Sequence, residues 1–138
     1  MASRSGTAES IQILQEDDVT IKQLCISSVF SEDLNNLLPF YRDVLGLPAG
    51  TEEHGFVVLG DPDGPTVGLG THSGVHGKAV DPARHIVGLE TDDIQAEYRR
   101  LKGLGVEFLE TPTQGGPVTF ATLKDPEGNY VQLVQFNR

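Results

Sequence analysis

Cysteine is nearly missing from this chain. Cys25 is the single one among 138 residues, which excludes an intramolecular disulfide framework and agrees with a reducing, cytoplasmic setting. Positive charge is scarce too: ten Lys and Arg stand against twenty Asp and Glu, a formal charge of −10. Such a surface repels phosphate backbones and anionic bilayers, so nucleic acid and membrane are not expected partners, and a cationic guest is favoured over an anionic one. No stretch is long or apolar enough to span a membrane, and the first ten residues lack the apolar core of a secretory signal. Residues 1–17 read as a flexible tail, in which Ile11-Gln12-Ile13-Leu14-Gln15 alternates enough for an extra edge strand.

What is present is a repeat of two. Leu59-Gly60-Asp61-Pro62-Asp63-Gly64-Pro65-Thr66-Val67-Gly68-Leu69 returns as Leu123-Lys124-Asp125-Pro126-Glu127-Gly128-Asn129-Tyr130-Val131-Gln132-Leu133. Each copy is an apolar run, an Asp-Pro-acid-Gly turn and an alternating run, the signature of a β-hairpin in which Pro presets φ and Gly accepts φ > 0. Upstream, Tyr41-Arg42 matches Tyr98-Arg99 and Ile21 to Leu24 matches Ala83 to Ile86, so strand, helix, strands and hairpin occur twice. The reading is α+β: a first βαβββ module over 18–72, a linker over 73–82 and a second module over 83–138, with the two sheets paired about a pseudo-two-fold axis.

In chain order, Thr20 to Val29 is expected to be a strand. Ser31-Glu32-Asp33 supplies N-cap chemistry for a helix with Leu34, Leu37, Leu38, Tyr41 and Leu45 on one stripe; Pro39 must sit in its first turn or bend it. Glu52 to Gly55 reads as a short variable piece before the first hairpin. In the second module His85 to Leu89 is a strand, and Asp92 with Gln95 makes a capping box for a helix carrying Ile94, Tyr98 and Leu101 inward. Val106 to Leu109, Val118 to Leu123 and Asn129 to Phe136 complete the strands, with Thr111 to Pro117 as a loop insertion. The loop histidines His72 and His76 read as solvated.

By alternation, Tyr130, Gln132 and Val134 point away from the helix, and Gln23, Cys25, Ser27, His85 and Val87 are expected to share that concave face. Two curved sheets would then build a cup lined by Gln23, Cys25, Ser27, Phe56, His85, Phe120, Tyr130 and Gln132, suited to a planar or polar organic ligand. His85 could equally hydrogen-bond Gln132 or Gln23 across the cup.

Phe40-Tyr41-Arg42-Asp43-Val44-Leu45-Gly46-Leu47 followed by Asp125 to Leu133 resembles the vicinal oxygen chelate superfamily, which includes glyoxalase I, bleomycin-resistance proteins and extradiol dioxygenases. The resemblance runs from about Val19 to Phe136. It implies paired βαβββ modules, usually in a homodimer, and in the enzymes a divalent metal held at four matched positions, here Gln23, Gly68, His85 and Gln132. Gly68 offers no donor and Gln132 replaces a carboxylate, so the proton abstraction of a glyoxalase or epimerase lacks its base and a divalent ion lacks compensating charge. The expectation is a cytoplasmic, metal-free protein that sequesters a small organic molecule, with no catalytic residue and no cofactor. The alternative is a metal-dependent lyase, isomerase or dioxygenase using Gln23, His85 and Gln132, with further ligands from His54, His72 or His76. A third reading is an interaction module whose pocket is vestigial.

Overall fold

A computed structural model describes Thr20 and residues 22–137. The tail and the edge strand expected at Ile11 to Gln15 lie outside the described residues. Among the described residues, eight strands form two four-stranded mixed sheets of the same plan. In the first, β1 (Ile26–Ser31) pairs in parallel with β4 (Thr66–Thr71), and β4, β3 (Phe56–Leu59) and β2 (Ala49–Glu53) follow as antiparallel neighbours. In the second, β5 (Val87–Glu90) pairs in parallel with β8 (Tyr130–Phe136), and then come β7 (Val118–Lys124) and β6 (Thr113–Gly115). Among the described residues, no helix is long and apolar enough to cross a membrane.

Both expected hairpins form, and the second turn is the better tied. Asp61 Oδ1 accepts from Asp63 N at 2.9 Å. Asp125 Oδ1 accepts from the amides of Glu127 and Asn129 at 2.8 and 2.9 Å. Gly128 has φ +83° as the turn requires, whereas in the first copy the positive φ moves to Gly60, at +117°. The piece expected to be irregular, Glu52 to Gly55, is instead the end of β2 and a two-residue turn. His54 and Gly55 have φ of 53° and 78°, the left-handed pair that joins strands with matching twist, and Glu53 faces Phe56 directly across it.

Pro39 governs the first helical segment. Asp33 accepts from Asn35 N at 3.0 Å to cap a single 3-10 turn, Leu34–Asn36. Pro39 then opens a wide π turn, Pro39–Val44, in which Leu45 N reaches Phe40 O at 2.8 Å. The stripe survives this irregularity, with Leu37 and Tyr41 fully buried. In the second module α1 (Ile94–Gly103) is regular and capped by Asp93, whose side chain accepts from Ala96 N at 3.1 Å, not by the expected Asp92 and Gln95 box. Ile94 and Leu101 are buried, and Tyr98 packs edge-on against Phe108 with ring centres 4.7 Å apart. Gly105, at φ +89°, closes the helix as Val106 N returns to Leu101 O at 3.0 Å.

Two further expectations move. β1 begins at Ile26, so Gln23 and Cys25 precede it and are exposed. Val106 to Leu109 makes only one bridge, Phe108 to Leu123, while the expected loop supplies β6. Apolar side chains of both modules, Val29, Leu37, Tyr41 and Leu69 with Ile94, Leu101, Leu123 and Val131, merge into one core. The linker is tied down: Ala79 N donates to Glu127 O at 2.9 Å and Gly77 N to Glu32 Oε2 at 3.0 Å.

Candidate functional site

Strand register decides which side chains face the open side of each sheet. Val29 and Ser31 on β1, Val67 and Leu69 on β4, and Val57 and Leu59 on β3 are buried toward the helices. Ser27 is level with Val67 and Val87 with Val131, so both belong to that covered side and not to the concave face expected for them. The open face of the first sheet carries Ile26, Ser28 and Phe30 beside Gly68, which pairs with Ser28. In the second sheet Gln132 pairs with Gly88, and Ile86 lies two residues before that position. Counting back from these pairs makes Cys25 the counterpart of His85, and Gln23 that of Ala83, so Gln23 and His85 are not symmetry-matched.

The sequence-nominated residues therefore divide. Ser27 Oγ and His85 Nε2 are hydrogen-bonded at 3.0 Å, tying the segment that leads into β5 to β1 across the module boundary. His85 and Tyr130 line a cavity of about 290 Å3 between the modules, together with Ser28, Phe30, Asp81 and Arg84. The Arg84 guanidinium pairs there with Asp81 Oδ2 at 2.8 Å. Gln132 turns to its own sheet, where Nε2 donates to Thr122 Oγ1 at 3.1 Å, and Phe120 sits across from Val134 on the same two strands. Phe56 belongs to the first sheet and meets Phe30 with ring centres 6.2 Å apart. Gln23 and Cys25 join none of these groups. Sequence reasoning missed Ser28 and Phe30; their signal was the same alternation, read from the wrong parity.

The donors present do not fit a divalent cation. Beside Gly68 and Gln132 the open-face neighbours are Ile26, Ser28, Ile86, Gly88 and Thr122, which offer two hydroxyls, and Gln132 adds one amide. None of these carries charge, and a doubly charged ion needs anionic or imidazole ligands. The space in front of Gly68 is also filled: a Cβ there would lie 2.4 Å from Phe56 Cζ and 3.0 Å from Ile26 Cδ1. Among the described residues, no three His, Cys, Asp or Glu side chains converge as a metal site.

Behind the site, Tyr41 and Asp125 join the modules. Tyr41 OH donates to Asp125 Oδ2 at 2.8 Å, and Asn129 Nδ2 donates to the same oxygen at 2.9 Å. Burial first, and then the neighbouring Asp125 carboxylate, push the Tyr41 phenol far above its ordinary range. Tyr41 also lines the cavity.

Two βαβββ units with hairpin turns of Asp-Pro-acid-Gly type define the class of protein. The chain belongs to the Glyoxalase/Bleomycin resistance protein/Dioxygenase superfamily, whose sequence model matches residues 20–133. YurT of Bacillus subtilis (strain 168) is 32% identical over 127 residues, spanning 82% of this chain and 98% of its own. YetH of the same organism is 30% identical over 119 residues, with spans of 82% and 98%. A superfamily member from Sphaerobacter thermophilus superposes with a TM-score of 0.67 at 23% identity, covering 83% of this chain and 98% of that one. TnmS3, an antibiotic binding protein from Streptomyces sp. CB03234, does so with a TM-score of 0.65 at 22% identity, covering 86% and 98%. These two likenesses show the fold.

Proposed function

We propose that this protein binds a small organic molecule, without metal-dependent chemistry, in the cytoplasm and as a homodimer. The observation that carries the reading is the set of side chains at the matched positions of the two sheets: Ile26, Ser28 and Gly68 in one, Ile86, Gly88 and Gln132 in the other. None is a carboxylate able to accept a proton from carbon, and none supplies charge to a metal. Next to Ser28 the cavity between the modules combines apolar wall from Val29, Phe30 and Val87 with polar groups from Ser28, Asp81, Arg84, His85 and Tyr130, which is the composition of a binding pocket. The formal charge of −10 favours a cationic guest. That the superfamily includes an antibiotic binding protein is consistent with this reading.

Metal analysis of protein purified without chelator, paired with thermal-shift screening, tests it. The expected result is no stoichiometric Ni, Zn, Mn or Fe, and a midpoint that climbs with the logarithm of the concentration of an organic cation. Stoichiometric metal that is lost in His85→Ala or Gln132→Ala would sink the proposal.

A further inference from the structure

We infer that the open face of β4 is an aromatic platform, that its ligand is a flat aromatic cation, and that Gly68 and Gly70 determine this specificity. The inference rests on the proposed small-molecule binding and names its ligand class.

Three rings stand in a row on the first sheet. Phe56 and Phe30 have centres 6.2 Å apart with planes tilted by 32°, and His72 meets Phe30 edge-on at 5.5 Å. The His72 ring is held in place because its Nδ1 accepts from Gly74 N at 2.9 Å, so in the neutral ring the proton is on Nε2. Glycine at two alternate positions of β4 makes the row possible. A Cβ on Gly68 would stand 2.4 Å from Phe56 Cζ, and one on Gly70 would stand 2.8 Å from Phe56 Cδ1 and 3.4 Å from Phe30 Cε1. Glycine inside a strand costs stability and packs nothing, and its use here lets the Phe56 ring come down onto bare backbone. Phe30 and Phe56 remain partly accessible, His72 is exposed, and Phe30 also walls the cavity that contains His85 and Tyr130.

The charge closest to Phe56 along the sheet is that of Glu53. Glu53 is the direct cross-strand partner of Phe56, and directly opposed residues project to the same face, so its carboxylate flanks the platform. Asp81 borders the adjoining cavity paired with Arg84, and Lys78 lies with Glu127 on another side of Phe30, so these charges offset one another and the cation preference rests on Glu53 and on the formal charge of −10. Aromatic faces attract both flat π systems and cations, and the Glu53 carboxylate adds to the second preference.

The test is a fluorescence titration of the full chain, freed of nucleic acid, with proflavine, a planar tricyclic cation; spermidine serves as a charged, non-aromatic control. Proflavine is expected to bind. Phe56→Leu, Phe30→Leu and Gly68→Val are each expected to weaken it roughly tenfold or more, with circular dichroism confirming that each variant folds. The three variants act from different strands, so misfolding of one leaves the others to decide. No binding of proflavine, equal affinity for spermidine, or proflavine affinity unchanged in the folded variants would overturn the platform. Failure of the parent reading looks different: stoichiometric metal in the purified protein. A non-aromatic ligand that raises the midpoint equally in wild type and Phe56→Leu overturns the platform alone.

Discussion

Asp125→Ala is expected to lower the thermal midpoint by roughly 10 °C, the largest single-residue effect on this fold. Its carboxylate is 4% exposed and accepts from four donors: the Glu127 and Asn129 amides, Asn129 Nδ2 and Tyr41 OH. Truncation orphans all four, and a buried donor without a partner costs about 1–3 kcal/mol. Water entering the space left by the carboxylate recovers part of this, so a net loss of about 3 kcal/mol is expected. The bonds join the turn before β8 to a helical segment of the other module, so the loss is global. Urea denaturation should show a lower midpoint with an unchanged slope. A midpoint within two or three degrees of wild type would mean that the clamp is dispensable.

Alkaline pH should expose the other half of the same clamp. Burial and the adjacent carboxylate raise the Tyr41 phenol in the folded state, while in the unfolded chain it ionises near the ordinary value of about 10. Below that value the phenol is protonated in both states and no stability depends on its titration. Above it, the unfolded state releases a proton that the folded state retains, so the Tyr41 contribution to stability falls by about 1.4 kcal/mol per pH unit. Tyr41→Phe should be less stable than wild type by about 1–2 kcal/mol at neutral pH, because Asp125 loses one of its donors. The variant lacks the titration, so the gap should close and then reverse as pH rises through about 11 and beyond. Parallel denaturation curves for the two proteins at all pH values would show that Tyr41 ionises normally when folded.

These clamps bear on function through the cavity. Tyr41 sits at its back and Tyr130 begins the strand that follows the Asp125 turn, so loosening the turn moves two of the cavity walls. Ser27 and His85 join the modules a second time, at the opening of β5. Ser31 Oγ also donates to Glu127 Oε1 across the modules at 2.9 Å, beside the Asp125 turn. A ligand seated between the modules would bind the assembled state only, and would stabilise these contacts by mass action.

Local chemistry made part of this protein legible in its sequence. Asp-Pro-acid-Gly turns between alternating runs specified two hairpins, and their recurrence specified two modules. The inward residues of α1, Ile94 and Leu101, followed from helical spacing and are buried. These features depend on neighbours within a few residues, which is the range over which φ preferences, caps and periodicity act. The same local logic was present but unread at His54-Gly55, where two left-handed residues make the turn from β2 to β3.

Tertiary structure decided the site. The side of β1 that faces the open surface depends on pairing Ser28 with Gly68, forty residues away, and a slip of one residue sends every side chain to the opposite face. That parity removed Ser27 from the concave face and brought Phe30 into it. Whether Phe56 is core or platform depended on Gly68 and Gly70, whose missing side chains leave room that the Phe56 ring occupies, which no single strand reveals. The reach of Tyr41 to Asp125, while Tyr98 at the repeated position packs against Phe108, is likewise a property of how the two modules meet. Sequence determines what each short segment can form because those forces are local; what the open face offers a ligand is set by long-range register and packing.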